Sequence, residues 1–153
     1  MQKKTNPEKR NWIVIVFAFA NALLIYGVIC YIVTMNRPAV VQTSLLSDFR
    51  VGGYGLSALM LVAGFWIFPR STAGTIVLRE TFMTKSIISL AFCDAVGIIG
   101  LVLVILGLPP VEYLPFGVLG LLSILFFVLP RGLRYWRQFE GGESGTQQGL
   151  IES

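Results

Sequence analysis

The sequence contains no histidine and little charge: of its 153 residues only 13% are Asp, Glu, Lys or Arg. The missing histidine excludes His-ligated haem and chlorophyll, most zinc and copper sites, Ser-His-Asp triads and histidine proton relays. Cysteine is scarce too. Cys30 and Cys93 each lie inside an apolar block, where a solitary cysteine serves helix packing rather than a disulfide or a metal pair. No catalytic group, metal set or cofactor motif stands out, and the chain reads as non-enzymatic. The Gly-rich run V-G-G-Y-G (Val51 to Gly55) is no phosphate loop, because no strand precedes it and G-K-[ST] is absent.

What is abundant is apolar sequence. The chain is 55% hydrophobic with a mean hydropathy of +0.75, whereas a soluble domain carries about a quarter charged residues. The excess falls in four blocks, which predicts an all-α, polytopic membrane protein with four transmembrane helices. A basic N-terminus, 1–11, precedes a first hairpin over 12–70 with spans of about 12–34 and 51–68. The first block is too long for a signal-peptide core and has no convincing cleavage site, so it is read as a retained helix opening at Trp12. Between these spans, Ser44 to Phe49 suits a short amphipathic turn on the surface. A connection over 71–85 follows, in which the third helix could begin as early as Thr75. The second hairpin, 86–137, has spans of about 86–106 and 113–129, and the second and fourth spans both end at Pro-Arg. The tail, 138–153, has the composition of a disordered segment.

The basic residues orient these spans. Lys3, Lys4, Lys9, Arg10, Arg70, Arg79, Lys85, Arg131, Arg134 and Arg137 fall on one side, leaving only Arg37 and Arg50 on the other. The positive-inside rule puts both termini in the cytoplasm, in a membrane read as a bacterial inner membrane. The net charge of +4 thus reflects orientation and not nucleic-acid binding, since no basic stripe interleaved with aromatics is present. Arg131, Arg134, Tyr135, Trp136 and Arg137 read as an interfacial anchor in reach of anionic lipid heads.

The most informative block is Ser86 to Leu106, 21 residues with a single acid, Asp94, near its middle. A carboxylate at the bilayer centre costs about 2.5–3.5 kcal/mol on insertion scales, so it needs a partner or a task. Two readings stand. In a low-dielectric site the charged form is disfavoured, and the group can take up and release a proton as its surroundings turn dry and wet. Alternatively it is an interhelical hydrogen-bond partner, for which Asn21 lies at a similar depth. Ser86, Ser89, Cys93, Gly97 and Gly100 form a stripe of small residues on the same helix, with Gly27 matching on the first. Such stripes let helices approach closely, within a bundle or between subunits.

The first and third blocks also look related. Ala18 to Ile29 aligns with Ala91 to Val102 at a constant offset of 73, pairing Ala18/Ala91, Phe19/Phe92, Ala22/Ala95, Ile25/Ile98 and Gly27/Gly100, with Asn21 facing Asp94. Two such hairpins in the same orientation predict parallel internal repeats. Over A-F-C-D-A-V-G-I-I-G-L-V-L-V-I-L (Ala91 to Leu106) the sequence resembles the carboxylate helix of the proteolipid, subunit c, of rotary ATP synthases and ATPases. The resemblance implies that Asp94 is an ion-carrying carboxylate and that Asn21 replaces the acid in a second copy. It further implies a subunit of a larger membrane complex, with lipid, other integral membrane subunits or copies of itself as partners. The family's Arg-Gln-Pro loop is absent, and the carboxylate helices here come first in each hairpin. Competing with this is an accessory subunit that only packs helices; a small-molecule or lipid-binding bundle would require a polar cavity.

Overall fold

Between helices in lipid there is no hydrophobic driving force, so close packing of small residues and interhelical hydrogen bonds must hold a bundle together. The third helix supplies both. The structure is a computed structural model that describes residues 6–35, 44–69 and 78–138. The described residues are helical apart from short turns and contain no strand. Four helices are long and apolar enough to cross a membrane: α1, Pro7–Met35; α2, Ser44–Ile67; α3, Arg79–Ile105; and α4, Pro110–Gln138.

Helix α3 packs extensively against all three others, while α1 and α2 scarcely meet. The expected first hairpin is therefore not a packed pair: its two helices lie against different parts of α3. The small-residue stripe explains how one helix serves three neighbours. Ser86, Ser89, Cys93, Gly97 and Gly100 are all buried. Ser89 and the next turn face α2, where Gly64 would meet Phe92 Cβ at 3.2 Å if it carried a side chain. Gly97 accepts Leu23 and Tyr26 of α1, and Gly100 accepts Phe116 of α4. The stripe's members share one face, and different neighbours reach that face at different depths along the helix.

Local chemistry sets the helix ends. Asn6 caps α1, its Oδ1 accepting from Glu8 N at 3.1 Å, with Pro7 in the first helical position. At the end of α3 the chain turns through Gly107, whose φ of 117° suits a residue with no Cβ. Gly107 N donates to Val104 O and Leu108 N to Leu103 O, at 3.1 and 3.2 Å, closing the helix in a Schellman motif before Pro109. A single 3₁₀ turn, Pro110–Glu112, then opens α4.

Three boundaries differ from the sequence reading. The surface turn expected from Ser44 is the first part of α2, because no Pro or Gly separates it from the apolar block. Helix α3 starts at Arg79, seven residues ahead of the span read from Ser86, and Thr75 lies outside the described residues. Helix α4 does not stop at Pro130 but continues through 129–138. An interior proline lacks an N–H and crowds the carbonyl four residues back; here the preceding segment, Ile124–Val128, is π-wound, and its wider turn accommodates the ring. Residues 139–153, with most of the expected tail, lie outside the described residues, as do 1–5 of the basic N-terminus.

Contacts also order the ends of the bundle. The start of α1, the end of α2, the start of α3 and the end of α4 meet in an aromatic box of Trp12, Phe68, Phe82, Phe127, Tyr135 and Trp136. Phe82 stacks on Tyr135 with ring centroids 3.7 Å apart, and the edge of Trp136 meets Phe82 at 6.2 Å. Glu8 and Arg79 form an ion pair at this end. At the opposite end Tyr54 stacks on Phe116 at 4.7 Å, and Glu112 receives Arg50 at 3.0 Å and the Tyr54 hydroxyl at 3.2 Å.

Candidate functional site

Asp94 lies on α3 one residue past the buried Cys93, which turns its side chain toward the α1 seam and leaves it half-buried. Three residues on, Gly97 makes room for α1 to come close. The consequence is a contact that spacing alone does not reveal: the Tyr26 hydroxyl donates to Asp94 Oδ2 at 3.3 Å. The other oxygen, Oδ1, is buried without a hydrogen-bond partner among the described residues.

The expected partner, Asn21, is not there. Its side chain is exposed on the outer surface of α1, five residues from Tyr26 and so about 140° around the helix. Asn21 and Asp94 therefore form no interhelical pair. Tyr26 was detectable in principle, since a tyrosine inside an apolar span buries its ring but must satisfy its hydroxyl. Asn21 and Asp94 are related by their sequence offset and not by contact.

A second tyrosine completes the neighbourhood. Tyr113, at the start of α4, is buried, and its hydroxyl donates to the backbone oxygen of Leu23 at 2.5 Å. Its ring fills a notch between Gly27 of α1 and Gly117 of α4: a Cβ on Gly27 would lie 3.2 Å from Tyr113 Cε1. Gly27 thus lets the Tyr113 ring of α4 come close to α1. The three hydrogen bonds Tyr26–Asp94, Tyr113–Leu23 and Ser89 Oγ to Gly64 O (2.9 Å) tie α1 to α3, α4 to α1 and α3 to α2.

Next to Tyr113 an open cleft of about 620 Å³ runs between α1 and α4, lined by residues such as Leu24, Val28, Pro110, Leu114 and Val118. No charged side chain lines it. It is therefore not the polar cavity that a small polar solute needs. Among the described residues no group of three His, Cys, Asp or Glu comes together to hold a metal.

The expected anchor divides. Arg131, Arg134 and Arg137 are exposed, and Arg131 sits over the Phe127 ring at 3.5 Å. Tyr135 and Trp136, expected at the lipid interface, are instead buried in the aromatic box. Continuation of α4 past Pro130 is the cause, since it turns these rings inward. Trp12 is likewise fully buried, against Phe82 and Gly132.

No protein-family model, curated protein or solved structure matches this chain.

Proposed function

We propose that this chain is a non-enzymatic integral membrane subunit in which Asp94 takes up and releases a proton at the seam of α1 and α3. One observation carries the reading: Oδ2 is held by Tyr26 while Oδ1 is buried without a partner. An ionised carboxylate so placed leaves charge on an unsolvated oxygen, which a bound proton removes. The likeness of Ala91 to Leu106 to the proteolipid carboxylate helix supports the same role. In this proposal both termini are cytoplasmic, the membrane is a bacterial inner membrane, and larger membrane subunits are the partners.

A second reading, a packing-only accessory subunit, is favoured by the Tyr26–Asp94 bond itself, because it joins two helices. Asp94→Asn separates the two: an amide still accepts from Tyr26 but carries no exchangeable acid. Carbodiimide, which reacts with a protonated carboxyl, should label Asp94 in native membranes, less so as pH rises, and the D94N complex should lose proton flux while still assembling. If D94N membranes keep full flux and only D94L disturbs assembly, the packing reading holds and the proton reading is lost.

A further inference from the structure

Helix α1 carries a polar group that the bundle does not use. Between Trp12 and Tyr26, Asn21 is the one residue with a hydrogen-bonding side chain. It stands midway between Pro7 and Met35, about 21 Å from either end of the helix. Leu23, two residues on and so about 200° around the helix, is buried against α3 and α4. Asn21 is exposed on the other side, where a membrane-spanning α1 meets lipid. Lipid tails return none of the hydrogen bonds that an amide makes in water. Ser123 and Thr34 meet the same demand on their own helices: Ser123 Oγ donates to Leu119 O at 2.7 Å and Thr34 Oγ1 to Cys30 O at 2.9 Å. Asn21 has no such bond among the described residues.

We infer that the outer face of α1 is a contact surface between two copies of this chain, with the two Asn21 amides bonded to each other across a two-fold axis. Val14, Ala18, Ile25 and Ile32 share this face with Asn21, within about 60° around the helix, and all are exposed. Ala18, one turn before the amide, lets two backbones approach closely. The β-branched Val14, Ile25 and Ile32 are stiff and give up little rotamer freedom on packing. The occupant follows from the amide. A carboxamide both donates and accepts, so a second carboxamide is its complement. Copies of one chain insert with the same orientation, and a two-fold axis along the membrane normal sets both Asn21 residues at the same depth, where each completes the other. A single asparagine in an otherwise apolar helix seam fixes register in this way. The contact is independent of any role for Asp94, which meets α1 on its bundle side through Tyr26.

The test uses the full chain reconstituted in phosphatidylcholine vesicles at graded dilution. Ala18→Cys places a thiol on the proposed face, and Leu59→Cys places one on an exposed position of α2 as the control. Cys30 and Cys93 are buried and stay silent. Copper-catalysed oxidation should link A18C into a dimer and leave L59C monomeric. In the A18C background N21L, which keeps volume but removes the amide, should weaken association about tenfold, and N21Q, which keeps the amide, by less than about threefold. Shielding of Cys30 and Cys93 from maleimide checks that each variant is folded; should N21L unfold, the contrast between A18C and L59C decides alone. The inference is overturned if A18C stays monomeric or links no faster than L59C, or if N21L associates as well as the chain that keeps Asn21. It is overturned equally if a photo-cross-linker on A18C, activated in native membranes, joins it only to lipid or to a chain of different mass.

Discussion

The indole of Trp12 lies directly against the backbone of Gly132, so that a side chain at position 132 would claim the space the ring occupies. Both residues are buried, and the contact closes the box that joins the start of α1 to the end of α4. In lipid, where burial of apolar surface gives no advantage, such shape matching is the main source of stability.

Gly132→Ala should therefore destabilise the bundle by about 1–3 kcal/mol, the usual cost of overpacking. Gly52→Ala and Gly55→Ala should do the reverse. Nothing lies within 4 Å of a Cβ at either position, so alanine gains about 0.5–1 kcal/mol of helix preference there. Thermal unfolding of the purified variants compares all three.

The two cysteines provide the probe. Cys30 and Cys93 are each only 1% exposed, so a maleimide dye should leave both unlabelled in the folded chain and react with both on heating. Rapid labelling of either thiol at low temperature would contradict the packing of α1, α3 and α4 described above.

Gly97 and Gly100 belong to one stripe but should differ in tolerance. An alanine at Gly100 would come within 2.7 Å of Phe116 Cβ, an atom close to the backbone that cannot step aside. At Gly97 the obstruction is the far end of Leu23, which can change rotamer. G100A should cost about 1–3 kcal/mol and G97A less than about 1 kcal/mol, read by the same thiol assay.

At the other end of the bundle, Glu112 accepts from Arg50 and Tyr54, linking the start of α2 to the start of α4. Arg50 is about half-exposed, its side chain keeping 49% of its accessibility, so solvent weakens the pair. A double-mutant cycle with R50Q and E112Q should give a coupling of about 0.2–1 kcal/mol that shrinks as salt is raised.

Much of this molecule was legible in the sequence. Length and hydropathy located the four helices, because a bilayer demands long apolar runs, and period alone showed that Ser86, Ser89, Cys93, Gly97 and Gly100 share a face. The grouping of helix ends followed from four crossings. The partners across that face were not legible: whether Gly97 meets α1 or α2 depends on three-dimensional packing, and this is why Tyr26 rather than Asn21 reaches Asp94. Pro130 misled for a local reason. A proline signals a stop unless the preceding turn is wide, and nothing in I-L-F-F-V announces a π turn. Tyr135 and Trp136 were misplaced by the same error, since a helix that ends at 129 leaves them free to face lipid.

The near absence of contact between α1 and α2 bears on how the protein is made. A chain released vectorially into the bilayer presents these two segments first, yet neither offers the other a mating surface. They must drift as separate passengers until the central segment arrives, and a ribosome stalled before residue 79 should leave two helices that cross-link to lipid or to insertion machinery but not to one another.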